Sequence, residues 1–244
     1  MLHAEHLNVA YGQSPVIRDL SFTLAAGETL AVMGRNGMGK TTLLKALIGM
    51  LPSRSGSLRI GATELTGLKS HQRVKAGLGF VPQGRMIFSQ LTVEENILTG
   101  MLDGRDAHAA RGDCSPGRAR VTGVPQWIYD CFPVLGEMSQ RKGGNLSGGQ
   151  QQQLAIARAL VGDPKVLILD EPTEGIQPSI IKEIARTLTK LKAERGFAML
   201  VSEQVLSFAL DVADRFLIIE RGEFVFEAQR TEVDAARIQA FLTI

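Results

Sequence analysis

Gly34-Arg35-Asn36-Gly37-Met38-Gly39-Lys40-Thr41 fits the pattern G-x-x-x-x-G-K-[ST] at every specified position. On one side stands the apolar run Leu30-Ala31-Val32-Met33. On the other, Thr41-Thr42-Leu43-Leu44-Lys45-Ala46-Leu47-Ile48 carries apolar residues at helical spacing until Gly49 stops them. The order is strand, glycine-rich loop, helix. Glycines let such a loop close around an anion with its N–H groups pointing inward, and the helix start adds its positive end. The spacing predicts a phosphate cradle in which Lys40 reaches the β- and γ-phosphates and the Thr41 hydroxyl ligates Mg²⁺.

Working outward, Val166-Leu167-Ile168-Leu169 is a continuous apolar run of the kind buried on both faces of a parallel sheet, and Asp170 and Glu171 close it. Asp170 is placed to hold magnesium through water, and Glu171 to polarise an attacking water. After Pro172 and Pro178 a helix is marked by Ile180, Ile181, Ile184, Leu188 and Leu191, with Gly196 as its stop; a strand over Ala198 to Ser202 follows. Earlier strands read over Leu2 to Val9 and Phe22 to Leu24. Strands alternating with crossover helices predict an α/β fold with a mainly parallel sheet and right-handed crossovers. Thr231-Glu232-Val233-Asp234 reads as a capping box opening a last helix that docks through Ile238, Phe241 and Leu242. From Met101 to Trp127 no apolar periodicity holds, which reads as a mobile surface insertion near 103–126.

Composition narrows the setting. With 244 residues and 44% apolar content the chain can bury a core, and 27 Lys+Arg against 25 Asp+Glu leave a charge of +2. That balance argues against a dedicated nucleic-acid binder. No apolar run approaches the roughly 20 residues that cross a bilayer, and the first residues lack the features of a secretory signal. Cys114 and Cys131 form no metal-type pair, and His3, His6, His71 and His108 show no ligand spacing, so magnesium is the one metal implied. A cytoplasmic setting follows as the expectation.

Leu146-Ser147-Gly148-Gly149-Gln150 precedes a good helix, Gln151 to Leu160, and so offers a second helix N-terminus to an anion. A Ser-capped helix start is the plainer reading of the same residues. Together with the two motifs above, this run resembles the ATP-binding subunits of ABC transporters over essentially the whole chain. The resemblance implies a P-loop NTPase cassette, 1–244, with an antiparallel β part near the N-terminus. The core would be 1–86 and 161–244, and 87–160 a helical subdomain carrying the signature. It also implies ATP contacts from Gly34 through Thr42, with Tyr11 stacking on adenine, and a Gln83 that links magnesium and the attacking water to a transmembrane partner. Two cassettes would pair head to tail, Leu146, Ser147, Gly148, Gly149 and Gln150 of one facing the ATP of the other. Partners implied are permease subunits, a sister ATP-binding subunit or a second copy, and indirectly a periplasmic or extracellular solute-binding protein. The place implied is the cytoplasmic face of the membrane.

Two positions depart from the family pattern. Gln204 stands where a histidine is usual and can hydrogen-bond a γ-phosphate without carrying charge; Gln177 replaces a usual aspartate. Glu203-Gln204 with Val81-Pro82-Gln83-Gly84-Arg85 is similar to the branched-chain amino-acid importer group. Within it, residues 34–40, Gln150 to Gln153 and 170–178 are most similar to the second ATPase subunit of urea importers. Import of a small polar solute, urea first and branched-chain amino acids second, is the function this implies. A soluble ATPase acting on ribosomes or DNA would carry two cassettes or a long coiled coil, and a small-molecule kinase would leave the signature unexplained.

Overall fold

A computed structural model describes residues 1–101 and 123–243. The insertion read near 103–126, but for its last four positions, lies outside the described residues, as do Cys114 and His108.

Two sheets organise the described chain. The first is antiparallel, in the order β2-β1-β4-β5, with β1 (Leu2–Tyr11), β2 (Ser14–Leu24), β4 (Ser53–Ile60) and β5 (Thr63–Glu64). β2 is longer than the Phe22–Leu24 read from sequence. Its inward residues Ile17, Leu20, Phe22 and Leu24 are buried, but Arg18 and Asp19 both face solvent at a bulge opposite Asn8, between the Leu7 and Val9 pairs, which breaks the period-two signal.

The second sheet runs β10-β9-β3-β8-β7-β6: β10 (Glu223–Gln229), β9 (Arg215–Glu220), β3 (Thr29–Met33), β8 (Ala198–Glu203), β7 (Val166–Asp170) and β6 (Leu78–Val81). All pairings are parallel except β10 with β9. Alternation along β7 divides its side chains between two cores. Val166 and Ile168 join α1 (Lys40–Leu47) and the antiparallel sheet. Leu167 and Leu169 pack under helices α3 (Val93–Leu98), α6 (Gly148–Leu160), α7 (Pro178–Arg195) and α8 (Leu206–Val212). Each such side chain contributes about 1.5–3 kcal/mol on burial, enough together to offset desolvating Asp170 at the strand's end.

Smaller elements complete the frame. α2 (Ser70–Lys75) lies beside β6, and α4 (Gln126–Cys131) and α5 (Pro133–Glu137) add Ile128 and Leu135 to the second core. α7 starts with Pro178 in its first turn and ends at Gly196, whose φ of 72° suits glycine, as the sequence predicts. The last helix, α9 (Ala235–Leu242), docks through Ile238, Phe241 and Leu242 as expected. Its start is a correction: Asp234 is the cap, accepting from Ala236 N at 2.9 Å, and residues 230–232 form a separate 3-10 turn. Arg230 pins that turn, its backbone N on Asp214 O and its Nε on Leu210 O, so the helix cannot begin at Thr231.

Candidate functional site

In open α/β sheets, ligands bind beyond the carboxyl ends of the strands. Here β3, β8, β7 and β6 are neighbours, and their ends deliver the glycine-rich loop, Glu203-Gln204, Asp170-Glu171 and Pro82-Gln83 to one place. Gly34 must be glycine, because a Cβ there would stand 2.4 Å from the carbonyl oxygen of Ile219. Gly39, with φ 112°, turns the chain into α1. Lys40 is the first residue of that helix and only 4% exposed. Its Nζ donates to Gly34 O at 2.7 Å and Arg35 O at 3.0 Å and lies 3.3 Å from Glu171 Oε1. Asn36, Gly37, Gly39, Lys40, Thr41, Thr42, Gln83 and Glu171 line a cavity of about 220 Å³ around it. Met38 faces away into the first core. Arg35 reaches instead to the last helix, its Nε donating to Phe241 O at 3.2 Å, where Phe241 stacks on Phe226.

The acidic wall is equally ordered. Thr41 Oγ1 donates to Asp170 Oδ1 at 3.2 Å. Burial raises the Asp170 carboxyl above its ordinary range; hydrogen bonds from Thr41 and Ser202 and the charge of Lys40 oppose the rise, while Glu171 adds to it. Glu171 adopts φ 47°, uncommon for a residue with a Cβ, with its N donating to Ser202 O at 2.9 Å. The turn aims its carboxylate back at the loop. Oε1 accepts from Gln204 Nε2 at 2.8 Å, and Oε2 from Gln83 Nε2 at 3.1 Å. Gln204 Nε2 also donates to Asn36 Oδ1 at 2.6 Å.

Glu203 has no role in the sequence reading, yet it holds this arrangement together. It is 1% exposed; Oε1 accepts from Thr173 N (3.1 Å) and Oγ1 (2.5 Å), and Oε2 from Gln204 N (2.7 Å) and Val205 N (2.9 Å). A charged residue closing an apolar strand was the available signal. Four donors account for a carboxylate buried without a cationic partner.

Other sequence-predicted residues lie elsewhere. Tyr11 does not line the cavity; it is 49% exposed at the end of β1, beside the turn where Arg54 donates to Gly12 O. Leu146 to Gln150 do not line it either. Ser147 caps α6: its Oγ accepts from Gln150 N at 3.4 Å, and Gln150 Oε1 accepts from Ser147 N at 2.9 Å. Gly149 is pressed against α7, where a Cβ would meet Ile180 at 2.8 Å. Gln177 caps α7 by its backbone conformation, without a side-chain hydrogen bond.

The oxygens of Thr41 and Asp170 form a hard donor pair suited to Mg²⁺, and Gln83 adds an amide beside them. Among the described residues there is no cluster of three or more His, Cys, Asp or Glu that could hold a metal. That donor set fits an ion shared with phosphate oxygens.

A family model described as ABC transporter matches residues 17–174. The chain is 37% identical over 226 residues to the high-affinity branched-chain amino acid transport ATP-binding protein BraG of Pseudomonas aeruginosa, covering 92% of this chain and 91% of that one. To the probable branched-chain amino acid transport ATP-binding protein LivF of Archaeoglobus fulgidus it is 33% identical over 233 residues, 96% and 94% of the two chains. The lipopolysaccharide export system ATP-binding protein LptB of Escherichia coli K12 is 30% identical over 232 residues, 95% and 92%. Among solved structures, the dimeric structure of a bacterial ABC transporter cassette superposes with a TM-score of 0.79 at 24% identity, covering 94% of this chain and 99% of that one. A dimeric cassette in a post-hydrolysis state, bound to ADP and Pi, gives 0.78 at 23%, with the same coverage. At such identities the likeness is one of fold.

Proposed function

The chain belongs to the ABC transporter family as an ATP-binding subunit, and from that premise we propose that it hydrolyses ATP to ADP and phosphate to drive import of a small polar solute. The observation that carries the reading is the Glu171 carboxylate, held by Lys40, Gln83 and Gln204 in the wall of the cavity around the glycine-rich loop.

Phosphate oxygens would take the N–H groups of residues 36–41 and the positive end of α1. Lys40 has three ammonium protons. Two are used by Gly34 O and Arg35 O, which leaves one directed at Glu171 or at an incoming phosphate oxygen. Magnesium, when bound through Thr41, Asp170 and Gln83, supplies charge neutralisation at the β- and γ-phosphates. Glu171 orients the attacking water and accepts its proton, while Gln83 and Gln204 fix the two carboxylate oxygens. Phosphoryl transfer asks chiefly for such positioning and charge stabilisation. Tyr11, outside the cavity lining and half exposed, offers a π face of the kind that stacks on a purine.

Ser147 to Gln150 lie outside the cavity, so they act on a second cassette's nucleotide, and a sister ATP-binding subunit or a second copy completes each site. The chain works as one cassette on permease subunits at the cytoplasmic membrane face, with a solute-binding protein beyond them. No helix of the described residues is long and apolar enough to cross a membrane. A groove of about 440 Å³, with Met86 and Phe88 exposed on its wall and Pro82 next to Gln83, offers the permease its seat.

Two cargoes are in question. The sequence resemblance of residues 34–40, Gln150 to Gln153 and 170–178 points to urea, whereas the names of the relatives at 37% and 33% identity favour branched-chain amino acids. Reconstitution with the permease and binding protein decides: stimulation of ATP consumption by leucine or by urea identifies the solute. Absence of ATP consumption, alone or in the complex, overturns the hydrolytic reading.

A further inference from the structure

Arg85 is the side chain at which three loops meet. It follows Gln83 by two residues, and both Arg85 (φ 68°) and Met86 (φ 46°) are left-handed, a costly pair of conformations for residues with a Cβ. Backbone bonds hold the turn: Arg85 N donates to Pro82 O at 3.1 Å and Met86 N to Gly84 O at 2.7 Å. The turned chain sends the guanidinium to the loop after Glu171, where Nη2 donates to Glu174 O at 3.0 Å. The same group lies against the first turn of α6, since a Cβ on Gly148 would come within 3.3–3.5 Å of its nitrogens and central carbon. From the other side, Arg158 Nη2 donates to Arg85 O at 3.2 Å, and the Arg158 guanidinium sits 5.5 Å over the ring of Phe88 in the groove wall.

We propose that Arg85 is a positioning residue: its backbone takes the register of the groove through Arg158, and its guanidinium fixes the Glu171–Gly175 turn and the Ser147–Gln150 turn relative to Gln83. The proposal rests on the hydrolytic reading of the site. Arginine suits the task because its fork can serve a carbonyl while its flat face packs on a glycine turn; lysine offers the charge without the plane. Misplacement of reacting groups by about 1 Å costs up to a hundredfold in rate, so the loss should fall on turnover rather than on nucleotide affinity.

The test compares Arg85→Ala, Arg85→Lys, Lys40→Ala and Glu171→Gln in the full chain, measuring steady-state ATP hydrolysis and affinity for a fluorescent ATP analogue. Arg85→Ala is expected to lower kcat by about ten- to a hundredfold with KM and analogue affinity within about twofold, and Arg85→Lys to recover part of the loss. Unchanged kcat in Arg85→Ala, or a loss confined to KM, would overturn the proposal while the Glu171→Gln and Lys40→Ala losses leave the hydrolytic reading standing. If those two controls hydrolyse ATP as fast as the parent, the hydrolytic reading falls first, and this one with it.

Discussion

Glu171 combines an uncommon backbone with a crowded carboxylate, and the two are connected. A left-handed residue with a Cβ costs roughly 1–2 kcal/mol; here that turn points the side chain at Lys40, Gln83 and Gln204. An amide at this position keeps the shape, cannot take a proton from water, and meets one of the two glutamine N–H groups with its own. Glu171→Gln should therefore retain ATP binding and slow turnover by about a hundredfold or more, read by single-turnover hydrolysis beside equilibrium binding. Asp170 gives a prediction of opposite sign for stability. Burial raises its folded pKa above the unfolded value, so the folded state holds the proton more tightly and this group's contribution falls as pH rises from the unfolded pKa through the folded one. In magnesium-free buffer, Asp170→Asn should melt above the parent at neutral pH, with the gap closing toward acid; a lower melting temperature at pH 7 would refute the argument. The carboxylates at 170 and 171 are legible in sequence because they end a four-residue apolar run. Glu203 ends an apolar strand in the same way, but its partner Thr173 lies 30 residues off, and Arg85 carries no such mark, its partners Glu174 and Gly148 being farther still along the chain.

Among the elements, α1 is held at both ends; Gly49, at φ 78°, stops it as the sequence reads, but the side chain that satisfies its last carbonyls comes from elsewhere in the chain. The glycine-rich loop starts it; Arg73 of α2 finishes it, with Nη1 donating to Ala46 O and Leu47 O, both at 2.7 Å, and Nε to Leu68 O at 3.0 Å. A cation on the last carbonyls of a helix satisfies otherwise orphaned acceptors and opposes the dipole. Arg73→Met should lower unfolding free energy by about 2–3 kcal/mol, measured by urea denaturation, since charged hydrogen bonds to buried carbonyls are lost. Ser147→Ala separates capping from catalysis: the cap is worth about 1 kcal/mol, so a modest fall in stability beside a much larger fall in turnover supports the second role. Elements buried on both faces, β3 and β7, were readable as continuous apolar runs. β2 and the start of α9 were not, because a bulge and the Arg230 anchor override the local pattern.

For the whole molecule, the proposed pairing of two cassettes requires the turn of Leu146 to Gln150, which lies outside the lining of the cavity around Lys40, to meet a second chain's nucleotide. The Glu171→Gln variant with ATP and Mg²⁺ should assemble into dimers, alone or with its sister subunit, that dissociate on ATP removal; light scattering at matched concentrations checks this, and a mass unaffected by ATP would count against head-to-tail pairing. The fold was legible as α/β from motif order; the head-to-tail pairing came from the family resemblance alone, and the structure adds that Leu146 to Gln150 lie outside the lining of the cavity around Lys40.

The thread from Arg35 to the carbonyl of Phe241 has a practical side. A dye coupled near position 241 would sense events in the glycine-rich loop that lies some 200 positions earlier in the chain. A bulky substituent beside Phe241 would in turn strain the contact that Arg35 makes there, so reporters at this position should be small.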